Sequence, residues 1–219
     1  MSKSVKTYSG KRLNVTYEVE RCMHAAECVN SGLRSVFDNT TRPWVQPDGA
    51  EAAAVMAVID RCPSGALKYQ LHDLPQSSPE TNRITPLPNS ALGVRGEIKL
   101  HDESGEIAEQ TQRLTLCRCG QSKNKPYCDY SHHAAGFSDD GVLGQAKLDA
   151  HFDDCTGPLA VHPIKDGPLK IEGKLSVYKA DNTQRMFGNK VFLCRCGQSK
   201  NKPFCDGSHS AAGFKSNDE

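Results

Sequence analysis

Cys117, Cys119, Cys128 and His132 follow one another as C-x-C-x8-C-x3-H. The pattern returns 77 residues later as Cys194, Cys196, Cys205 and His209. Three thiols and an imidazole in so short a stretch are a metal-ligand set. Residues two apart on extended backbone face the same way, so Cys194 and Cys196 can clamp one metal. Residues four apart are helical neighbours, so Cys205 and His209 can clamp a second, with Asp206 as an expected N-cap. This two-plus-two division suits a binuclear [2Fe-2S] cluster. A single zinc ion on three cysteines and a histidine is the alternative, although zinc sites usually space paired cysteines more widely than C-x-C.

Around each loop the chain supplies support. Ser122 and Ser199 are candidate hydrogen-bond donors to cluster sulfur, and Lys123, Lys125, Lys200 and Lys202 form a basic rim. Such a rim offsets thiolate charge, raises the potential and steers acidic partners. Leu92, Val94, Ile98 and Leu100 alternate around Gly96, and Leu169, Ile171, Leu175 and Val177 alternate around Gly173. After a turn, Leu114–Leu116 or Val191–Leu193 delivers the first ligand cysteine. Each copy is therefore expected to be a β-hairpin feeding a metal loop. One such unit is too small to bury a core, so the two are expected to pack by an internal pseudo-twofold in a monomer.

The N-terminal part carries three further thiols, Cys22, Cys28 and Cys62. Period-two alternation from Leu13 to Val19 predicts a strand, and Ala25–Ser31 predicts a short helix stopped by Gly32. Arg42–Val45 reads as a short strand. Asp48 and Glu51 form a capping-box pattern before an Ala-rich helix that ends at Cys62-Pro63, and Gly65–Gln70 reads as a strand. The expected fold class is α+β, opening with a β-α-β-α-β domain over 1–72. Residues 73–89 hold four of the twelve prolines and read as a linker. The two repeat units then span 90–137 and 167–219, with a connector over 138–166.

Apolar residues make up 37% of the 219 and the net charge is +1, which points to no nucleic acid and no membrane as bulk partners. The first ten residues have no apolar core, and the longest apolar run is too short for a bilayer. Cysteines in such a chain are expected as ligands rather than bridges, which places it in the cytoplasm. Cys155 reads as a free surface or half-buried thiol. His72, His101, His133, His151 and His162 read as solvated or structural. No nucleophile–base pair or phosphate-cradling loop marks an enzyme.

Cys205-Asp-Gly-Ser-His209, with C-x-C upstream and Pro203 between, resembles the CDGSH iron–sulfur family. The resemblance covers both hairpins and loops. It implies one [2Fe-2S] cluster on Cys117, Cys119, Cys128 and His132, and a second on Cys194, Cys196, Cys205 and His209. It also implies small β-rich folds, with both halves of the usual dimer in one chain. Gly207 of the motif is Tyr130 in the first copy: a position needing φ > 0 would cost the tyrosine about 1–2 kcal/mol, whereas a first helical turn, the expected reading, accepts it. The C-x5-C…C-P arrangement of Cys22, Cys28 and Cys62, with Ala25 where bacterial-type ferredoxins carry a middle cysteine, resembles the divergent single-cluster ferredoxin-type domain. That implies a [3Fe-4S] cluster, or a [4Fe-4S] cluster completed by His24 or a small ligand. Electron transfer to a redox partner protein is the expected function. Cluster storage, transfer or redox sensing, a structural zinc module, and a subunit of a larger oxidoreductase are the alternatives.

Overall fold

The two hairpins share one sheet and one core. A computed structural model of the chain describes residues 4–72, 81–148, 150–152 and 154–216. These fall in two units that divide at Ser78. In the second unit, β4 (Arg83–Pro86) precedes the first hairpin, β5 (Leu92–His101) and β6 (Ile107–Leu116). A short helix α2 (Ser131–Ala134) follows the first ligand loop. The strand β7 (Pro158–Pro163), the hairpin β8 (Leu169–Tyr178) and β9 (Arg185–Leu193), and the helix α3 (Ser208–Ala211) repeat this order.

The halves are interlocked by β4 and β7. Strand β4 pairs antiparallel with β5 of its own half and parallel with β8 of the other, Ile84 facing Val94 and Val177. Strand β7 does the reverse, pairing antiparallel with β8 and parallel with β5. Where these strands cross, each hairpin bulges at a glycine. Gly96 has φ +136° and a Cβ there would lie 2.0 Å from Asn82 Oδ1, while Gly173 has φ +125° and a Cβ would lie 2.4 Å from the Pro158 carbonyl. Any side chain would force the crossing strand away. The apolar alternation of all six strands turns inward to one buried cluster, with Ile84, Leu92, Leu116, Val161, Leu169 and Leu193 wholly buried. Neither half closes this core alone.

Two expectations about connections are corrected. Residues 83–86 of the expected linker are β4, and residues 158–163 of the expected connector are β7. The prolines at their ends need donate no ladder hydrogen bond, so they bound these strands instead of excluding them. Residues 73–80 of the expected linker lie outside the described residues. Cys155 is buried, because the chain entering β4 runs against it and the Asn82 amide donates to its carbonyl.

The first unit is an antiparallel sheet, β1 (Val5–Tyr8), β2 (Leu13–Glu18) and β3 (Leu67–Leu71), with β2 central and one helix, α1 (Ala52–Asp60). Leu13 and Val15 from the sheet meet Val55, Val58 and Ile59 from one helix face. The expected β-α-β-α-β order is corrected to β-β-α-β. Residues 25–31 form turns, not a helix, because His24 and Ala26 take φ of 54° and 59°. Arg42–Val45 makes only a bridge, Val45 to Phe37, with Pro43 lacking an amide proton. The capping box does not form: Asp48 accepts from the Lys11 amide at 2.8 Å, and Glu51 caps α1 without a side-chain bond.

Because the core is shared, Ile84→Ala should cost about 2–5 kcal/mol and lower one cooperative transition for both halves. Denaturant unfolding followed by probes on β6 and β9 checks this, through coincident midpoints. A second outcome concerns Asp166. The Ser216 amide, and next the Lys215 ammonium, hold its carboxyl down at about 2. A depressed folded value makes this tether fully present above the unfolded value of about 4, and lost as pH falls through about 2. The Ser216 amide resonance should follow that titration, and Asp166→Asn should abolish it.

Candidate metal centres

Each ligand loop is closed by a short antiparallel return onto the strand that feeds it. The Cys117 amide donates to the Pro126 carbonyl at 2.8 Å and the Cys128 amide to the Thr115 carbonyl at 3.0 Å. In the second loop Cys194 bonds Pro203 at 2.8 Å and Cys205 bonds Phe192 at 2.9 Å. This return sets the third cysteine beside the first. Asp129 and Asp206 then fold the chain into the short helices. Asp206 accepts from the Ser208 amide at 3.0 Å and from the Lys200 amide at 2.8 Å, and Asp129 does the same with Ser131 and Lys123.

Asp206 is thus not the N-cap; Gly207 is, at φ 87°. Its counterpart Tyr130 sits at φ 76°, which corrects the expectation of a helical first turn there. A tyrosine held in this left-handed conformation costs about 1–2 kcal/mol. Each third cysteine lies before the turn and each histidine in the first turn of the short helix, so the two meet across the turn rather than along a helix face.

The candidate ligands gather as pairs. Cys117 Sγ lies 3.7 Å from Cys119 Sγ, and Cys128 Sγ lies 3.4 Å from Nδ1 of His132. In the second loop the corresponding distances are 3.7 Å and 3.5 Å. A tetrahedral metal with sulfur at about 2.3 Å and nitrogen at about 2.0–2.1 Å separates two sulfurs by about 3.8 Å, and sulfur from nitrogen by about 3.5 Å. Each pair is therefore spaced as one edge of a metal tetrahedron, and the residues fit the group their pattern implies. Among the described residues, no three of His, Cys, Asp or Glu gather around a single ion-sized point.

Backbone amides supply the positive ends of dipoles. The Gln121 amide donates to Cys119 Sγ at 3.5 Å and the Gln198 amide to Cys196 Sγ at 3.4 Å. The Cys117 and Cys194 thiols are drawn down, first by the S–H of the neighbouring cysteine and then, against burial, by backbone amides; Cys119 and Cys196 are pushed up correspondingly. Ser122 and Ser199 do not give their hydroxyl protons to sulfur. Each hydroxyl donates its one proton to a carbonyl, of Tyr127 or Phe204, at 2.7 Å and closes the loop. Lys202 donates to the Ser199 carbonyl at 2.6 Å, and its charge favours the Cys194 thiolate; Lys123 and Lys200 are exposed. Lys125 is half-buried in the first loop.

Three features were not read from the sequence, although the repeat carries two of them twice. Arg118 and Arg195, the middle residues of C-x-C, are 2% exposed. Arg118 pairs with Asp139 and donates to the Ser90 and Leu87 carbonyls, and Arg195 donates to the Gly167 and Ile164 carbonyls. They fix each loop to the hairpin of its own half from beneath. Gly120 and Gly197 mark where the loops meet: a Cβ on Gly120 would lie 2.6 Å from the Cys196 carbonyl, and one on Gly197 2.6 Å from that of Cys119. The two centres therefore abut through backbone. The third feature is Ser90, whose Oγ lies 3.1 Å from Nε2 of His132.

In the first unit Cys22, Cys28, Cys62 and His24 line one pocket, with Tyr17 and Trp44. Buried Arg21 donates to the Ser64 carbonyl at 3.0 Å, joining the end of β2 to the Cys62 loop. Burial, and then the neighbouring Cys62, push the Cys28 thiol up to about 11. Cys62 Sγ lies 3.6 Å from Ser64 Oγ.

Gly197→Ala and Gly207→Ala separate the two kinds of glycine requirement. Both positions have positive φ, but a Cβ at Gly207 meets nothing within 4 Å. Gly207→Ala should cost about 1–2 kcal/mol in thermal unfolding. Gly197→Ala should cost clearly more and disturb both loops, seen as amide shifts in 117–120 as well as 194–199.

Comparison with known proteins agrees with this anatomy. A model described as a divergent 4Fe-4S mono-cluster matches residues 8–72. One described as an iron-binding zinc finger of CDGSH type matches residues 89–133 and again 166–210. The uncharacterized protein YjdI of Escherichia coli K12 is 40% identical over 65 residues, which is 30% of this chain and 84% of YjdI, and matches the N-terminal domain. YjdI of Escherichia coli O157:H7 matches to the same extent. No solved structure matches. Among the described residues no helix is long and apolar enough to cross a membrane. The chain thus joins a divergent 4Fe-4S mono-cluster domain to two tandem domains of the CDGSH iron-binding type.

Proposed function

We propose that this protein is an electron carrier. One [2Fe-2S] cluster would be held by Cys117, Cys119, Cys128 and His132, and a second by Cys194, Cys196, Cys205 and His209. The observation that carries this reading is the pairing of ligands in each loop at tetrahedral-edge distances, 3.7 Å for the sulfurs and 3.4–3.5 Å for sulfur and nitrogen. Two such edges per loop match two metals with two protein ligands each. Clusters of this kind accept and return single electrons.

The chain's own residues tune and expose that capacity. Amides of Gln121 and Gln198 donate to ligand sulfur, and the buried Arg195 guanidinium lies within electrostatic reach of Cys117. Both stabilise the more negative, reduced state. The backbone contact at Gly120 and Gly197 sets the two loops against each other, which would favour exchange of an electron between their centres, and the exposed Lys123 and Lys200 favour an acidic redox protein as partner. The pocket of Cys22, Cys28 and Cys62 would add a [3Fe-4S] cluster, or a [4Fe-4S] cluster with His24 or a small ligand in the fourth place.

Anaerobic purification with metal and sulfide analysis tests this. About four iron and four sulfide per chain are expected from the CDGSH loops, rising to about seven or eight iron with the N-terminal cluster. A colourless protein holding zinc in both loops would make it a structural zinc module instead.

A further inference from the structure

The 77-residue offset lets the two centres be compared side chain by side chain, and they are not equally covered. Ser90, Tyr130 and His133 stand where the second centre has Gly167, Gly207 and Ser210. The Tyr130 ring meets the His132 ring edge-on at 5.1 Å and stacks on His133 at 5.2 Å. Ser90 Oγ lies 3.1 Å from Nε2 of His132. With Nδ1 turned to the metal side, Nε2 carries the proton and donates it to Ser90. His132 and Cys128 are 5% and 3% exposed, whereas His209 and Cys205 are both partly open to solvent. Neither Gly167 nor Gly207 places any side chain over His209.

We propose that the centres divide into a retained and an exchangeable one: Ser90 and Tyr130 lock the first, and the second opens at its Cys205–His209 edge. This rests on the [2Fe-2S] reading of both loops, not on whether the protein carries electrons or passes clusters on. A ligand imidazole leaves when its ring turns away and an external donor takes its place. One metal–nitrogen bond breaks, one bond to the incoming donor forms, and no electron moves. A hydrogen bond on the outer nitrogen resists the rotation, and a covering ring blocks the incoming donor. The first centre has both obstacles and, among the described residues, the second has neither. Ser90 and Tyr130 are thus positioning residues acting through His132.

The full-length holo-protein is mixed with an iron chelator at one fixed pH. Aliquots are reduced with dithionite, and the [2Fe-2S] signal is read by paramagnetic resonance. Half the signal should disappear at least about tenfold faster than the other half. The Ser90→Gly/Tyr130→Gly double variant should bring the slow half up to the fast rate. Iodoacetamide present during release from the unmodified sequence should label Cys205 before Cys128, read by peptide mass spectrometry. That second measurement decides the matter if the double variant fails to load. One common rate with both signals present, or Cys128 labelled first, overturns the inference and leaves the electron-carrier reading standing. No [2Fe-2S] signal in anaerobically prepared protein overturns both.

Discussion

A 45-residue hairpin with a metal loop cannot bury enough apolar surface to stand alone. The solution here is the exchange of β4 and β7 between halves. Each strand completes the sheet of its own hairpin and extends the other, so that one apolar cluster serves both. Everything that positions the candidate metal ligands hangs on this exchange. The strands that deliver Cys117 and Cys194 run out of the shared core at wholly buried leucines, Leu116 and Leu193.

Above the core, polar anchors take over from apolar packing. Buried Arg118 and Arg195 reach back to carbonyls at the start of each hairpin, and Asp129 and Asp206 tie the loop to the short helix. Charge compensation differs between the halves. Arg118 meets the carboxylate of Asp139, while the position 77 residues on is Ser216, which bonds Asp166 and Glu103 instead. A near-perfect backbone repeat therefore holds two chemically different surroundings.

How much was legible follows from the kind of signal. Both hairpins and the eight loop cysteines and histidines that gather in pairs could be read, because period-two alternation and C-x-C-x8-C-x3-H each occur twice at one offset. Strands β4 and β7 could not: they are short and bounded by proline, and they earn their place only by pairing with residues far away in the chain. The expected helix at 25–31 failed because propensity says nothing of φ at His24 and Ala26, where the backbone turns around the thiol pocket. Tyr130 misled for a related reason, since its backbone takes the same left-handed turn as its twin Gly207, which residue type alone does not reveal. Ser122 and Ser199 were read as sulfur donors when a nearer carbonyl takes their protons.

Each CDGSH loop would offer one cysteine pair and one cysteine–histidine pair to two different metals. Pulsed paramagnetic resonance on the reduced protein, with its histidines labelled with nitrogen-15, tests this most directly. The [2Fe-2S] signals should carry a directly coordinated imidazole nitrogen, lost from one centre in His132→Cys and from the other in His209→Cys. Cluster signals without nitrogen coupling, or loops filled by zinc, would contradict it.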